Sequence, residues 1–109
     1  MRPATFDLHG SLQLRDAETI RSACVGQGGY ADIREHTEVF VTDGAEKTIG
    51  IGQVEKAANK GLYCEYEFLV RGIPAGLGFY GVEVSKRGRV QYSEAQMRAG
   101  VTLSLGVAS

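Results

Sequence analysis

Few residues in this chain could do chemistry, and their spacing limits what that chemistry would be. Cys24 and Cys64 are the only cysteines. They are too far apart for a C-x-x-C redox motif, and two thiols alone do not make a zinc site. Two readings stand on the residues: a disulfide, or two free thiols acting as small core hydrophobes. A bridge closing so long a loop stabilises a fold by about 4 kcal/mol on the chain-entropy estimate. His9 and His36 are the only histidines, and neither lies in a nucleophile or zinc-ligand pattern. Ser11, Ser22, Ser85 and Ser93 lack a nucleophile-elbow context. Gly26-x-Gly28-x-x-Ala31 spells the letters of a dinucleotide fingerprint, but that mechanism needs a strand before it and a helix after it. The stretch reads instead as a structural glycine loop. Asp7, Asp32, Asp43 and Glu46 do not alternate as calcium-loop ligands do. The residues therefore predict no catalytic group, no cofactor and no metal, and a chain that is not an enzyme.

The remaining candidates are surface features. Lys86-Arg87-x-Arg89 forms a basic tip, read as a solvated turn or as a contact to an acidic polymer such as wall polysaccharide or lipid headgroups. Twelve Lys and Arg against 13 Asp and Glu give a net charge of −1, which removes the electrostatic reason to expect nucleic acid. The tip also lacks the broader patch and stacking aromatics that nucleic acid needs. Tyr30, Tyr63, Phe79 and Tyr80 are either interface anchors or aromatics packing at sheet ends. The set expected to touch a partner is Tyr30, Asp32, Arg34, Tyr63, Phe79, Arg87 and Arg89, from the loops around 26–38 and 72–79 and the basic tip.

The elements that must position these residues are mostly strands. At 109 residues the chain is one domain. No apolar run reaches the roughly 18 residues of a membrane span. The termini show no export or lipidation signal. Phe6, Leu8, Leu12 and Leu14 alternate with polar residues, the period of a half-buried strand, and Gly10 suggests a bulge there. Asp16 can cap a helical turn over 16–22 with Ile20 inward. Residues 37–43 and 47–54 read as a hairpin turning at Asp43-Gly44, with Val39 and Val41 on one face and Ile49 and Ile51 on one face of the return strand. Residues 55–60 read as a polar connection. Leu62, Cys64, Tyr66, Phe68 and Val70 form the clearest alternation. Residues 79–85, 90–92 and 101–105 complete about seven strands, and Ser93 can cap one helical turn. Strands this short, with turns this regular, predict an all-β, antiparallel two-sheet sandwich of immunoglobulin-like or prealbumin-like type.

The run Cys24…Gly28-Gly29-Tyr30-Ala31-Asp32-Ile33, then Val39-Phe40-Val41-Thr42-Asp43, Cys64-Glu65-Tyr66-Glu67-Phe68, Phe79 to Gly88 and Tyr92-Ser93 resembles a family of small actinobacterial extracytoplasmic, lipoprotein-type domains. The resemblance covers roughly residues 24–106 and carries no assigned activity. It implies export and a Cys24–Cys64 disulfide between the glycine loop and the long strand. The second half also resembles the prealbumin-like sandwich of carboxypeptidase-regulatory domains, through Phe68, Ile73-Pro74, Tyr80-x-Val82-x-Val84 and Val101-x-Leu103-x-Leu105. That likeness concerns fold alone.

The expectation is a disulfide-stapled, non-enzymatic recognition module outside the cytoplasm, binding a protein or cell-envelope component, with weak self-association. The alternative is a structural assembly protein of a virion or surface layer, acting through lattice contacts.

Overall fold

In the computed structural model the chain is described over residues 4–106; Met1–Pro3 and Val107–Ser109, where the sequence was read for terminal signals, lie outside. Strands hold 53% of the described residues, so the fold is mostly β. The seven strands are β1 (Thr5–Arg15), β2 (Glu38–Thr42), β3 (Thr48–Asn59), β4 (Cys64–Pro74), β5 (Phe79–Val84), β6 (Val90–Ser93) and β7 (Val101–Gly106). Helices α1 (Ala17–Arg21) and α2 (Glu94–Ala99) are short, and Gly28–Tyr30 forms a single 3-10 turn.

The strands do not divide into two antiparallel sheets. They form one sheet in the order β6-β5-β2-β3-β4-β1-β7, curled into a half-barrel. Its pairing is mixed: β7 runs parallel to β1, from Gly10↔Val101 to Arg15↔Gly106. Alternation shows which side chains are buried, but a sandwich and a curled sheet bury the same alternate positions. The parallel pair follows from α2, which carries the chain from β6 across to the far edge of the sheet.

Curling requires the concave face to be crowded, and glycine makes room where two strands close in. Gly52 of β3 faces inward under β4. A Cβ there would overlap the Leu69 carbonyl oxygen and lie 2.8 Å from Val70 Cγ2. Gly10 of β1 pairs with Phe68, and a Cβ on it would overlap the Phe68 ring. Gly10 is therefore not the expected bulge. The register shift falls between Phe6 and Leu8, and Gly10 is the seat for an aromatic ring. With Gly50 and Gly52 turned inward, Ile51 of β3 points out and is 59% exposed.

The concave face is filled by Leu8, Leu12, Leu14, Val39, Val41, Val54, Tyr66, Val70, Ile73, Tyr80 and Val82. The clean alternations of β2 and β5 are borne out, and that of β4 from Cys64 onward; Leu62, expected to begin it, precedes the strand and is 83% exposed. The expected connection at 55–60 is strand as far as Asn59, which passes a register shift between Val54 and Lys56 and continues beside β4. Asp16 does cap α1, accepting from the Thr19 N–H at 3.1 Å; Ile20 packs half-buried against the core, as expected, while Thr19 is wholly buried. Ser93 caps α2 in a reciprocal capping box with Gln96. Met97 of α2 is buried over the Pro74 end of the half-barrel, where Glu94 accepts from the Gly76 N–H at 2.6 Å. Among the described residues no helix is long and apolar enough to cross a membrane.

Gly52→Ala should cost about 2–3 kcal/mol, because the contact is with backbone that cannot step aside. Gly44→Ala, with open space around it, should stay within about 0.5 kcal/mol. Denaturant midpoints of the two variants test the difference.

Candidate functional site

The segment from Ser22 to His36 lies over the Cys64 end of the concave face. Its backbone closes on itself: Gly26 N–H donates to the Ile33 carbonyl, Tyr30 N–H to Gln27 and Ile33 N–H to Tyr30, each at 2.9 Å. Gly26 must be glycine, since a Cβ would enter the Tyr30 and Ile33 carbonyls. Ile33 is wholly buried beneath the loop, which stabilises it by about 2 kcal/mol. The glycine stretch is thus a plug, and it leads into strand rather than the helix a dinucleotide would need.

A disulfide joins this plug to the sheet. Cys24 and Cys64 are bonded, with Cα atoms 5.6 Å apart. Cys64 sits between Leu14 and Asn59 in the middle of the sheet. Beside it the buried Tyr66 hydroxyl donates to the Cys24 carbonyl at 2.8 Å. Burial, with the Asp16 charge nearby, pushes the Tyr66 phenol up to about 12.

Three of the expected partner-binding residues meet at the far side of the plug. Arg87 ion-pairs with Asp32, donates to the Gly29 carbonyl and lies 5.2 Å from the centre of the Tyr30 ring. Burial raises the Asp32 carboxyl, but hydrogen bonds from Arg87 and Ser85 and the Arg87 charge outweigh it and hold the group below its ordinary value. The other four residues do not join this cluster. Arg89 crosses the convex face over Gly81 to pair with Glu46. Arg34 lies on the opposite flank of the plug, beside Cys24 and Ala57. Tyr63 precedes β4 and lies under the Arg15 guanidinium at 5.2 Å. Phe79 begins β5 and is 57% exposed. The basic tip is therefore a clasp. Two of its three cations are engaged by carboxylates of this chain, which leaves little charge for an acidic polymer.

The carboxylates weighed as metal ligands also have other tasks. Asp7 accepts from the Gly72 N–H at 3.0 Å, and Asp43 from the Ala45 and Lys47 N–H groups at 2.9 Å. Among the described residues no group of three or more His, Cys, Asp or Glu side chains is placed to hold a metal ion.

The half-barrel is open along one side. The two edge strands, β6 and β7, line a common cleft of about 210 Å³. Its apolar walls come from Val84, Val90 and Tyr92 on one side and Leu12, Leu103 and Leu105 on the other, with Arg87, Thr102 and Ser104 also lining it. The clasp thus stands at this seam. The sequence reading placed these apolar residues on strands but not at a site, because they are indistinguishable from core until the strand order is known. A signal was present in the edge strands themselves: Val90–Ser93 and Val101–Gly106 carry no charge and no proline. Exposed edges normally carry one or the other, to keep foreign strands away. A second, shallower hollow of about 600 Å³ lies against His9, Ser11, Glu55, Glu65, Glu67 and Thr102.

Neither a protein-family model, nor a curated protein, nor a solved structure matches the chain. The likeness to actinobacterial extracytoplasmic domains rests on the residues quoted for it.

A double-mutant cycle of Arg87→Ala and Asp32→Ala should give a coupling of about 0.5–1 kcal/mol, the range of a partly exposed pair. Because the Asp32 group is lowered in the folded state, its contribution is full above its ordinary value near 3.8 and is lost as pH falls through the lowered one. The stability difference between wild type and Asp32→Asn should therefore be flat above about pH 5 and shrink below about pH 4. Urea titrations across that window measure it.

Proposed function

We propose that this protein is a non-enzymatic recognition module that binds a partner protein or cell-envelope component through the open seam of its sheet. One observation carries the reading. Two uncharged, proline-free edge strands flank an apolar cleft, with no strand of the described residues between them. Such edges are templates for strand addition, in which backbone hydrogen bonds supply affinity and side-chain pockets supply specificity. A partner presenting an extended segment of alternating apolar and polar residues would satisfy the β7 backbone. It would place its apolar side chains against Leu103, Leu105 and Tyr92.

The disulfide and the likeness to actinobacterial lipoprotein-type domains support work outside the cytoplasm, since such bonds persist in oxidising compartments. The same uncharged edge also favours a second reading, assembly of the chain with its own copies in a virion or surface layer. Edge-to-edge pairing of β7 would then be the contact.

The test is an array of extended peptides, followed by amide chemical-shift mapping of the bound complex. Perturbations should fall on Val101–Gly106 and Val90–Ser93. Leu105→Lys, which puts a charge into the cleft from a half-buried position, should weaken binding at least about tenfold, or about 1.4 kcal/mol, with the fold intact. Shifts confined to the convex face, or no binding by any extended peptide, would contradict the reading. Sedimentation velocity at rising concentration separates the second reading: a dimer abolished by Leu105→Lys would favour self-assembly.

A further inference from the structure

The plug has few attachments to the sheet, and the disulfide is the only covalent one. Near Cys24 the Tyr66 hydroxyl donates to the Cys24 carbonyl, and Cys24 N–H and Gln27 N–H donate to the carbonyl and hydroxyl of Thr19 in α1 at 3.0 and 3.3 Å. At the far end the plug is held by the exposed Arg87 clasp and by His36 N–H on the Val54 carbonyl at 2.9 Å. The backbone entering the bond is unfavourable. Ala23 and Cys24 are consecutive non-glycine residues in the left-handed region, with φ of 56° and 64°. Such residues persist only where their surroundings over-determine them. Ala23 is held by the end of α1, where Cys24 N–H donates to the Thr19 carbonyl at 3.0 Å, and Cys24 is held in addition by the link to Cys64. That partner belongs to the opposite class of structure, since it is paired on both sides in the middle of the sheet. The bond thus joins a weakly held segment to the most firmly held strand. Both cysteines are buried, but Cys24 lines a cleft of about 300 Å³ with Ala23, Val25, Arg34, Glu35 and Ala57, which is a path for a small thiol.

We propose that the Cys24–Cys64 bond is a redox latch, whose reduction by a dithiol releases residues 23–36 as one unit and uncovers the Cys64 end of the concave face while the seven-stranded sheet stays folded. The dithiol supplies two electrons and two protons. Its thiolate attacks one sulfur, the S–S bond breaks through a mixed disulfide, and the products are two protein thiols and the oxidised, cyclised dithiol. Release removes the second constraint on Cys24 and frees the Tyr66 hydroxyl. Local opening of this kind takes place in units with few buried contacts.

The experiment treats the oxidised protein with dithiothreitol under native conditions and follows two readouts. Amide exchange at Gly26, Tyr30, Ile33 and His36 should accelerate at least about 100-fold, while the β1–β4 ladder changes by less than about tenfold. In brief alkylation of the reduced protein, Cys24 should label at least about ten times faster than Cys64, because it leaves with the plug while Cys64 stays in the sheet. Equal labelling with collapse of all protection would make the bond a global staple and overturn the latch. Slow labelling of both thiols with an unchanged plug would overturn it as well. The Cys24→Ser/Cys64→Ser variant should reproduce the released state, and a sheet that fails to form in that variant counts against the proposal.

Discussion

Close approach of β3 and β1 to β4 governs this structure. Gly52 lies where a side chain would strike the Leu69 carbonyl, and Gly10 lies where it would strike the Phe68 ring. Without a Cβ at those positions one sheet can curl far enough to bury its own concave face, so no second sheet is needed. The consequence reaches both edges. A sheet of this curvature brings β6 and β7 to a common cleft without joining them. The core, the plug at one end, α2 at the other and the open seam all depend on that bend.

Charge is used in the same economical way. A basic turn beside a nearly neutral protein suggests an outward-facing contact, yet Arg87 and Arg89 are spent on Asp32 and Glu46. Arg87 stacks on Tyr30 and holds the plug against the β5–β6 turn, beside the seam. These pairs are partly exposed, and each contributes little to stability alone. Their effect is positional: they fix where the rim of the seam lies. The disulfide differs in kind, because it ties the plug covalently to an interior strand of the sheet.

Much of this was legible from residue order. The inward faces of β2, β4 and β5, the Asp43-Gly44 turn and the caps of both helices follow from alternation and side-chain chemistry. The disulfide agrees with the family resemblance. Strand neighbours did not follow, because period-2 alternation reports burial and not pairing. Ile49, at the register shift of β3, still packs against the core, but Ile51 shows the limit most clearly. The larger side chains are the natural choice for the inward face, but the bend reserves that face for Gly50 and Gly52. Asp32 and Arg87 could be named separately as surface residues. Their meeting depends on a plug folding across the end of the sheet, which no local spacing encodes. The seam was illegible for a related reason: its walls are core residues of strands that lie at opposite ends of the sheet order.

The sheet is single, curled and not closed. Through-hydrogen-bond scalar couplings on the isotopically labelled, oxidised protein test it most directly. Couplings should link β7 to β1 in the parallel register from Gly10↔Val101 to Arg15↔Gly106, with none between β6 and β7. Couplings joining β6 to β7, or an antiparallel partner for β7, would close the seam and contradict it.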